Sequence, residues 1–563
     1  MDSKIGGGQE ARATVARASC PEPSAAKPCA ILTRRAHRAL SPTSPSLMDS
    51  NKIKFIIIGI LATFVALYLG ISAASAQFET IAWVLGSAVF IASISLGRKI
   101  WLLIPFMFAL GIGLRLPGQP DSGLLGQFLV LGFCVPLFLM RKLPLRLAWT
   151  ELELWILLLT LFVLQVYVRN PVGLNIFRGS SVGGKPYVIY VICLASGLLL
   201  GGLKVPAGEL KWILRLSIVG GLMNLAVSLV GVLVPAVGYY TGAVYLRADQ
   251  VSNEIIDTGA ATRISFLSAF SSNLALWVSS YISPLRACVR PLWGALILLA
   301  IVAAMMSGFR NSVVAIGITF GLGIAYRSGF AGVVISIFGL VMGVAMLAVV
   351  NIYAPLPPNI QRSLTFLPGT WEQRYRKDAT GSNEWRFEVW REVLMTERWI
   401  DNKWLGDGLG FKASEFTAQQ SAQQNTRAGV SGFDAHRENI LKSGDYHSGP
   451  VQTIRTIGYI GLLCLLLAQI RLAVHAHRQI KRCRNSEWFP LALFVGIPLI
   501  AYPIFFTFIF GTFKDAATVF LIGSGMIRLL QNNLPLPAYV LARRVPYVLR
   551  TRPMLAPSAL PNR

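Results

Sequence analysis

The chain carries one apolar run after another, each about 16–25 residues long and each closed by a short polar or basic segment. About 20 apolar residues coiled as a helix cross the hydrocarbon core of a bilayer. In lipid every backbone N–H and C=O must be paired within the protein. Repeated runs of this length therefore exclude a string of water-soluble globules and predict an all-α, polytopic membrane helix bundle. Composition agrees. Hydrophobic residues make up 54% of the 563 and charged ones only 14%, against roughly 25% charged in soluble domains. About fourteen spans (12–14) are expected, near 55–75, 78–97, 100–116, 123–140, 149–168, 186–203, 212–240, 264–284, 291–308, 311–326, 329–353, 450–471, 489–511 and 515–531.

The loops between these spans alternate in charge. One set holds Arg98 and Lys99, Arg141, Lys142 and Arg146, Lys204 and Lys211, Arg286 and Arg290, Arg327, and the run RLAVHAHRQIKRCR at 471–484. A basic C-terminal segment, 532–563, belongs with them. The positive-inside rule makes this set cytoplasmic. The termini are then cytoplasmic as well, and one large loop, 354–449, is periplasmic in a bacterial inner membrane. That loop carries about a dozen acidic and a dozen basic residues, so it has little influence on orientation. A net charge of +26 would suggest nucleic acid for a soluble protein. Here its concentration in short loops and the tail points to membrane topology, with no nucleic-acid partner. The seven cysteines fall in the N-terminal tail, the spans or the inside loops, so the outer face has no disulfide framework.

The domain plan that follows is a tail at 1–47, helices at 48–353, the loop at 354–449, three further helices at 450–531, and the basic tail. Residues 1–47 are rich in Pro, Ala, Ser and Arg and lack an apolar run. They read either as a disordered tail or as a start-site artefact, since Met-Asp-Ser occurs at Met1 and again at Met48.

The outer loops are poor in charge, so the cations they keep are candidates for binding. Arg178 and Lys185 flank a Gly-rich approach to a span. Arg310 stands at a membrane edge in SGFRNS, and Arg386 lies in the long loop in WRFEVWREVL. Ser382 suits an N-cap there, with Phe387, Trp390 and Leu394 as an apolar stripe. Guanidinium binds phosphate oxygens through paired hydrogen bonds and stays charged at neutral pH, so converging arginines suit a diphosphate. An arginine at a helix end also commonly snorkels to headgroups. His447, in GDYHSGPVQTIRTIGYIG at 444–461, adds an imidazole able to take a proton near neutral pH. No metal site is expected, because His436 and His447 are too widely spaced and no HExxH occurs. The Gly406–Gly410 run reads as a turn, without the strand–helix context of a nucleotide loop.

Three of these patterns, in this order, resemble the bacterial O-antigen ligase and O-antigen polymerase superfamily. SGFRNS at 307–312 resembles its Ser-x-x-Arg-Gly stretch, with Asn311 in place of Gly. WRFEVWREVL followed by KWLGDGLGF at 403–411 resembles its Arg-x-x-x-Trp helix and Pro-x-x-Gly-x-Gly turn, without the Pro. HSGPVQTIRTIGYIGLL at 447–463 resembles its His-Asn-x-x-Leu helix, with Ser448 for Asn. The resemblance covers roughly 290–470. It implies a glycosyltransferase that uses an undecaprenyl-pyrophosphate-linked glycan donor, no nucleotide sugar, no metal and no cofactor, with a glycan or lipid A-core as acceptor. His447 would be the catalytic base, with Arg310, Arg386, Arg178 and Lys185 on the pyrophosphate. A transporter or flippase of a polyanionic lipid or solute is the alternative. It would share the helices and cations but is expected to show inverted repeats and helices broken at mid-membrane.

Overall fold

The computed structural model describes residues 95–113, 121–173 apart from 144 and 147, 183–234, 262–410 and 446–535, with 87, 255–257, 440, 441 and 444. The chain divides into a unit of residues 1–71, wholly outside these, and a unit of 72–563. The tails at 1–47 and 536–563, and the spans expected near 55–75 and 78–97, lie outside the described residues, save isolated positions at the end of the second.

Fourteen α-helices make up the described fold: α1 (Leu103–Leu110), α2 (Ser122–Leu139), α3 (Glu151–Arg169), α4 (Lys185–Gly202), α5 (Ala207–Leu233), α6 (Ser265–Tyr281), α7 (Pro284–Cys288), α8 (Pro291–Met306), α9 (Arg310–Tyr353), α10 (Pro358–Leu364), α11 (Gln373–Met395), α12 (Gly449–Cys483), α13 (Phe489–Ile504) and α14 (Phe513–Asn533). A short antiparallel pair, β1 (Ile255–Asp257) with β2 (Thr262–Ile264), precedes α6. Helices α2, α3, α4, α5, α9, α12 and α13 with its π-helical extension are long and apolar enough to cross a bilayer.

Most of the described helices lie near the positions expected for spans. The span expected at 100–116 is shorter, because a 3₁₀ turn fills 97–102 and Gly111, at φ 54°, ends α1 in a left-handed cap. The two spans expected at 311–326 and 329–353 are one continuous run broken at Gly329, which has φ 71° and ψ −166°. The largest buried cluster lies among α3, α4, α12, α13 and α14. There α4 and α14 meet backbone to backbone: a Cβ on Gly197 would overlap the Leu521 carbonyl, and one on Gly525 the Gly197 carbonyl. Small residues let helices approach this closely where apolar packing alone must hold them.

Contacts sort the loops onto two ends. At one end Arg146 N–H donates to the Gly202 carbonyl (2.8 Å), Arg528 pairs with Glu153 (3.1 Å), and Lys211 pairs with Glu487 (2.7 Å). These are the loops of the basic set. At the other end, residues 359–363 pack against the C-terminus of α8, and the 403–408 turn grips α12.

That grip is specific. Gly458 interrupts α12 with φ 76°, so the N–H groups of Tyr459 and Ile460 donate to the carbonyls of Lys403 (2.8 Å) and Trp404 (3.4 Å). In return the N–H groups of Asp407 (2.7 Å) and Gly408 (3.2 Å) donate to the carbonyls of Arg455 and Thr456. A break at this depth is tolerated because other backbone takes up the freed groups. The turn lies at 403–405, just ahead of the expected Gly406–Gly410 run, and the stretch they form pairs with the Gly458-Tyr-Ile-Gly461 break. A methyl at Gly458 would overlap the Trp404 carbonyl and occupy a left-handed backbone. Gly458→Ala should cost at least about 2 kcal/mol, read as a lower thermal midpoint in detergent. Gly317→Ala, with nothing within 4 Å of the added carbon, should leave the midpoint unchanged or raise it. Equal midpoints for wild type and Gly458→Ala would rule out the interlock.

Candidate anion site

The α8–α9 turn is the floor of the site. Helix α8 ends at Met306, and its exposed carbonyls need partners. Asn359 Nδ2 donates to the Met306 carbonyl (3.1 Å) and Ser363 Oγ to that of Met305 (2.8 Å), so α10 is stitched across the helix end. Ile264 N–H donates to the Ser307 carbonyl (2.8 Å), which brings β2 and Arg263 to the same place. Arg310 opens α9, and α11 crosses above with Asp378, Asn383 and Arg386.

Arg362, on α10, is 4% exposed. Its Nε donates to Asp378 Oδ2 (2.8 Å), and its Nη1 donates to the Gly308 carbonyl. Arg310 Nη2 donates to Asn383 Oδ1 (3.3 Å). The Arg263 guanidinium lies 6.0 Å from the Phe309 ring centroid. The Nε atoms of both Arg263 and Arg386 are buried without any hydrogen-bond partner. Burial, then the positive charges of Arg362, Arg386 and Arg310, push Arg263 down to about 10, with Asp378 opposing. Burial and Arg362 likewise hold Arg386 below the ordinary guanidinium range. Four mutually repelling guanidinium groups thus share one carboxylate, with donors left over. That arrangement is suited to an anion of two or more charges, bound by paired N–H···O contacts.

His447 lies on the adjoining side of α11. Its ring centroid is 6.0 Å from that of Trp385, the neighbour of Arg386, and 5.9 Å from that of Phe510. The backbone there is strained, with φ 50° at His447, a conformation that costs a non-glycine residue roughly 1–2 kcal/mol. The surroundings hold it: Tyr446 is fully buried, Trp390 Nε1 donates to the Tyr446 carbonyl (2.7 Å), and Ser448 caps α12. Backbone strain held by packing in this way is common at functional sites.

The structure thus brings Arg310 and Arg386 together, and sets His447 against Trp385, the residue before Arg386 on α11. It does not do so for every expected residue. Lys185, buried at the start of α4, has Lys514 and Asp121 as charged neighbours, and Arg178 lies outside the described residues. The helix carrying Arg386 also differs from expectation. It starts at Gln373, so Ser382 is inside it and is not an N-cap. Tyr375 and Ala379 bury on the same helix and carry it back past Ser382. Val389 and Val393 are its fully buried apolar positions, Trp390 and Leu394 of the expected stripe pack against the same cluster, and Phe387 is 65% exposed. Arg263 and Arg362 were not anticipated, although both belong to loops expected on the outer face, where retained cations were candidates.

No protein-family model matches the chain, and no curated protein matches it. What the fold and site define is a class: a helical bundle with membrane-length helices and a partly buried arginine cluster at one end.

The two roles of arginine here separate in a stability measurement. Arg362→Ala strands Asp378 and the Gly308 carbonyl and should lower the thermal midpoint by the equivalent of about 3 kcal/mol. Arg386→Ala removes a repelling, unpartnered charge and should leave the midpoint equal to or above wild type. Equal losses for both would contradict the cluster.

Proposed function

We propose that the chain is a membrane glycosyltransferase that transfers or polymerises undecaprenyl-pyrophosphate-linked glycan in surface polysaccharide synthesis. In this reading the basic end is cytoplasmic, the 354–449 segment is periplasmic, and the protein is a multi-pass inner-membrane protein of about fourteen spans. The observation that carries the reading is the pair of buried, unpartnered Nε groups on Arg263 and Arg386 inside a four-arginine cluster, with His447 against Trp385 on the helix that carries Arg386.

The acceptor hydroxyl attacks the anomeric carbon and its proton passes to the His447 imidazole. The bond from that carbon to the diphosphate oxygen breaks, and the lipid diphosphate leaves with its charge held by Arg263, Arg310 and Arg386. Arg362, committed to Asp378, positions the group. General-base assistance is worth about 10²–10⁴ in rate, and preorganised cations on the leaving group add a comparable or larger factor.

A flippase or transporter of a polyanionic lipid would use the same arginines, and the broken helices α9 and α12 are the feature favouring it. Yet 459–483 after Gly458, and the pieces on either side of Gly329, are each about long enough to span a bilayer alone. The breaks therefore lie at span ends.

The test is a transfer assay with purified protein, undecaprenyl-pyrophosphate-linked repeat units and products sized on a gel. His447→Ala should lose at least about a hundredfold in rate. Arg386→Ala should lose more than Arg386→Lys, which keeps charge but not the paired geometry. A ladder from donor alone means polymerase, and transfer only with added lipid A-core means ligase. Folded protein with no transfer under either condition sinks the proposal.

A further inference from the structure

A second arginine cluster stands at the basic end, on the far side of the same helix. Arg310 opens the first half of α9 and Arg327 lies near its close, so the two clusters are separated by roughly 26 Å at 1.5 Å per residue. Arg286 of α7, Arg290, Arg327 and Arg484 line a cavity of about 370 Å³ together with Tyr326 and Phe489. A second, mainly apolar cavity of about 290 Å³ shares Tyr326, Arg484 and Phe489 and is walled by Leu322, Ala325 and Ile480, with His477 and Lys481 at its edge. No carboxylate lines either cavity among the described residues.

Arg327 has a structural task, since it donates to the carbonyls of Ser279 (3.0 Å) and Ser280 at the end of α6 and lies 5.0 Å from the Phe489 ring centroid. The side chains of Arg286, Arg290 and Arg484 have no hydrogen bond or ion pair among the described residues. The nearby Glu487 is already paired with Lys211. A basic chamber adjoining an apolar one, at the end of a bundle of membrane-length helices, matches an amphiphile with a phosphate head and a hydrocarbon chain.

We propose that this paired cavity is a binding site for a phosphate-bearing polyanion, separate from the arginine site at the other end. The head lies among Arg286, Arg290 and Arg484, and in a lipid the chain lies against Leu322, Ala325 and Ile480. The source of the phosphate is either an anionic phospholipid or a soluble diphosphate.

The experiment uses full-length protein in detergent micelles doped with diphosphatidylglycerol or with phosphatidylcholine, and native mass spectrometry counts the retained lipid. Each arginine near an anionic headgroup is worth roughly fivefold in affinity. The R286Q/R290Q/R484Q variant should therefore retain diphosphatidylglycerol about a hundredfold less well, and R286K/R290K/R484K should retain most of it. Phosphatidylcholine should not be retained by any of the three. A parallel arm adds inorganic diphosphate and follows the thermal midpoint. A rise in wild type beyond that of the Gln variant, without lipid retention, supports the site and assigns it to a soluble anion. Raising salt on the unmodified protein should release the lipid, a readout that needs no variant to fold. Lipid retention equal in wild type and Gln variant and indifferent to salt, with equal midpoints in diphosphate, overturns the proposal.

Discussion

The end of the bundle that carries the four-arginine cluster depends on one buried guanidinium. Arg362 joins the Gly308 carbonyl, at the α8–α9 turn, to the Asp378 carboxylate on α11. Taking that charge out of water is costly unless both partners are in place. Once they are, α10 is fixed across the end of α8 and α11 is fixed above α9. The positions of Arg310, Asn383 and Arg386 follow from that crossing, and Trp385 is thereby aimed at His447. An ion pair of this kind is weak support for stability in general. Here its value is geometric, since it neutralises the only carboxylate among the coupled charges and leaves the other arginines to repel one another.

The two ends of the bundle handle positive charge differently. At the basic end several cations are paired or capping, Arg528 with Glu153, Arg471 with Glu151, Lys211 with Glu487 and Arg327 on the carbonyls that end α6, while Arg286, Arg290 and Arg484 line an open cavity. At the other end the arginines of the cluster are partly buried and carry unpaired donors. A protein that only needed charge for topology would have left such residues at a wet surface, where hydration satisfies them at no cost. Burying them without partners makes sense where a ligand completes the set.

The spans were legible because a bilayer imposes length and apolarity on each of them, and a run such as 186–203 offers no other solution. The motifs were legible as neighbours in sequence and not as partners in space. Nothing local to KWLGDGLGF shows that its carbonyls receive the N–H groups of Tyr459 and Ile460. Nothing local to Arg263 or Arg362 shows that they converge, because the contact depends on how α10 packs on α8. The misplaced start of α11 has the same origin. Ser382 has the chemistry of a cap, but burial of Tyr375 and the bond from Asp378 to Arg362 extend the helix by more than two turns.

The break at Gly458 has a mechanical consequence. Residues 449–457 form a short helical segment whose continuation is not the remainder of α12 but the turn at 403–408, through which its carbonyls are held. His447 sits two residues before that segment. Its aim is therefore set by a loop and not by the span that follows. The segment acts as a steering arm: a shift of the 403–408 stretch would carry it and His447 along while 459–483 stayed still. A change of turn sequence would thus reposition the histidine without altering a single contact made by 459–483.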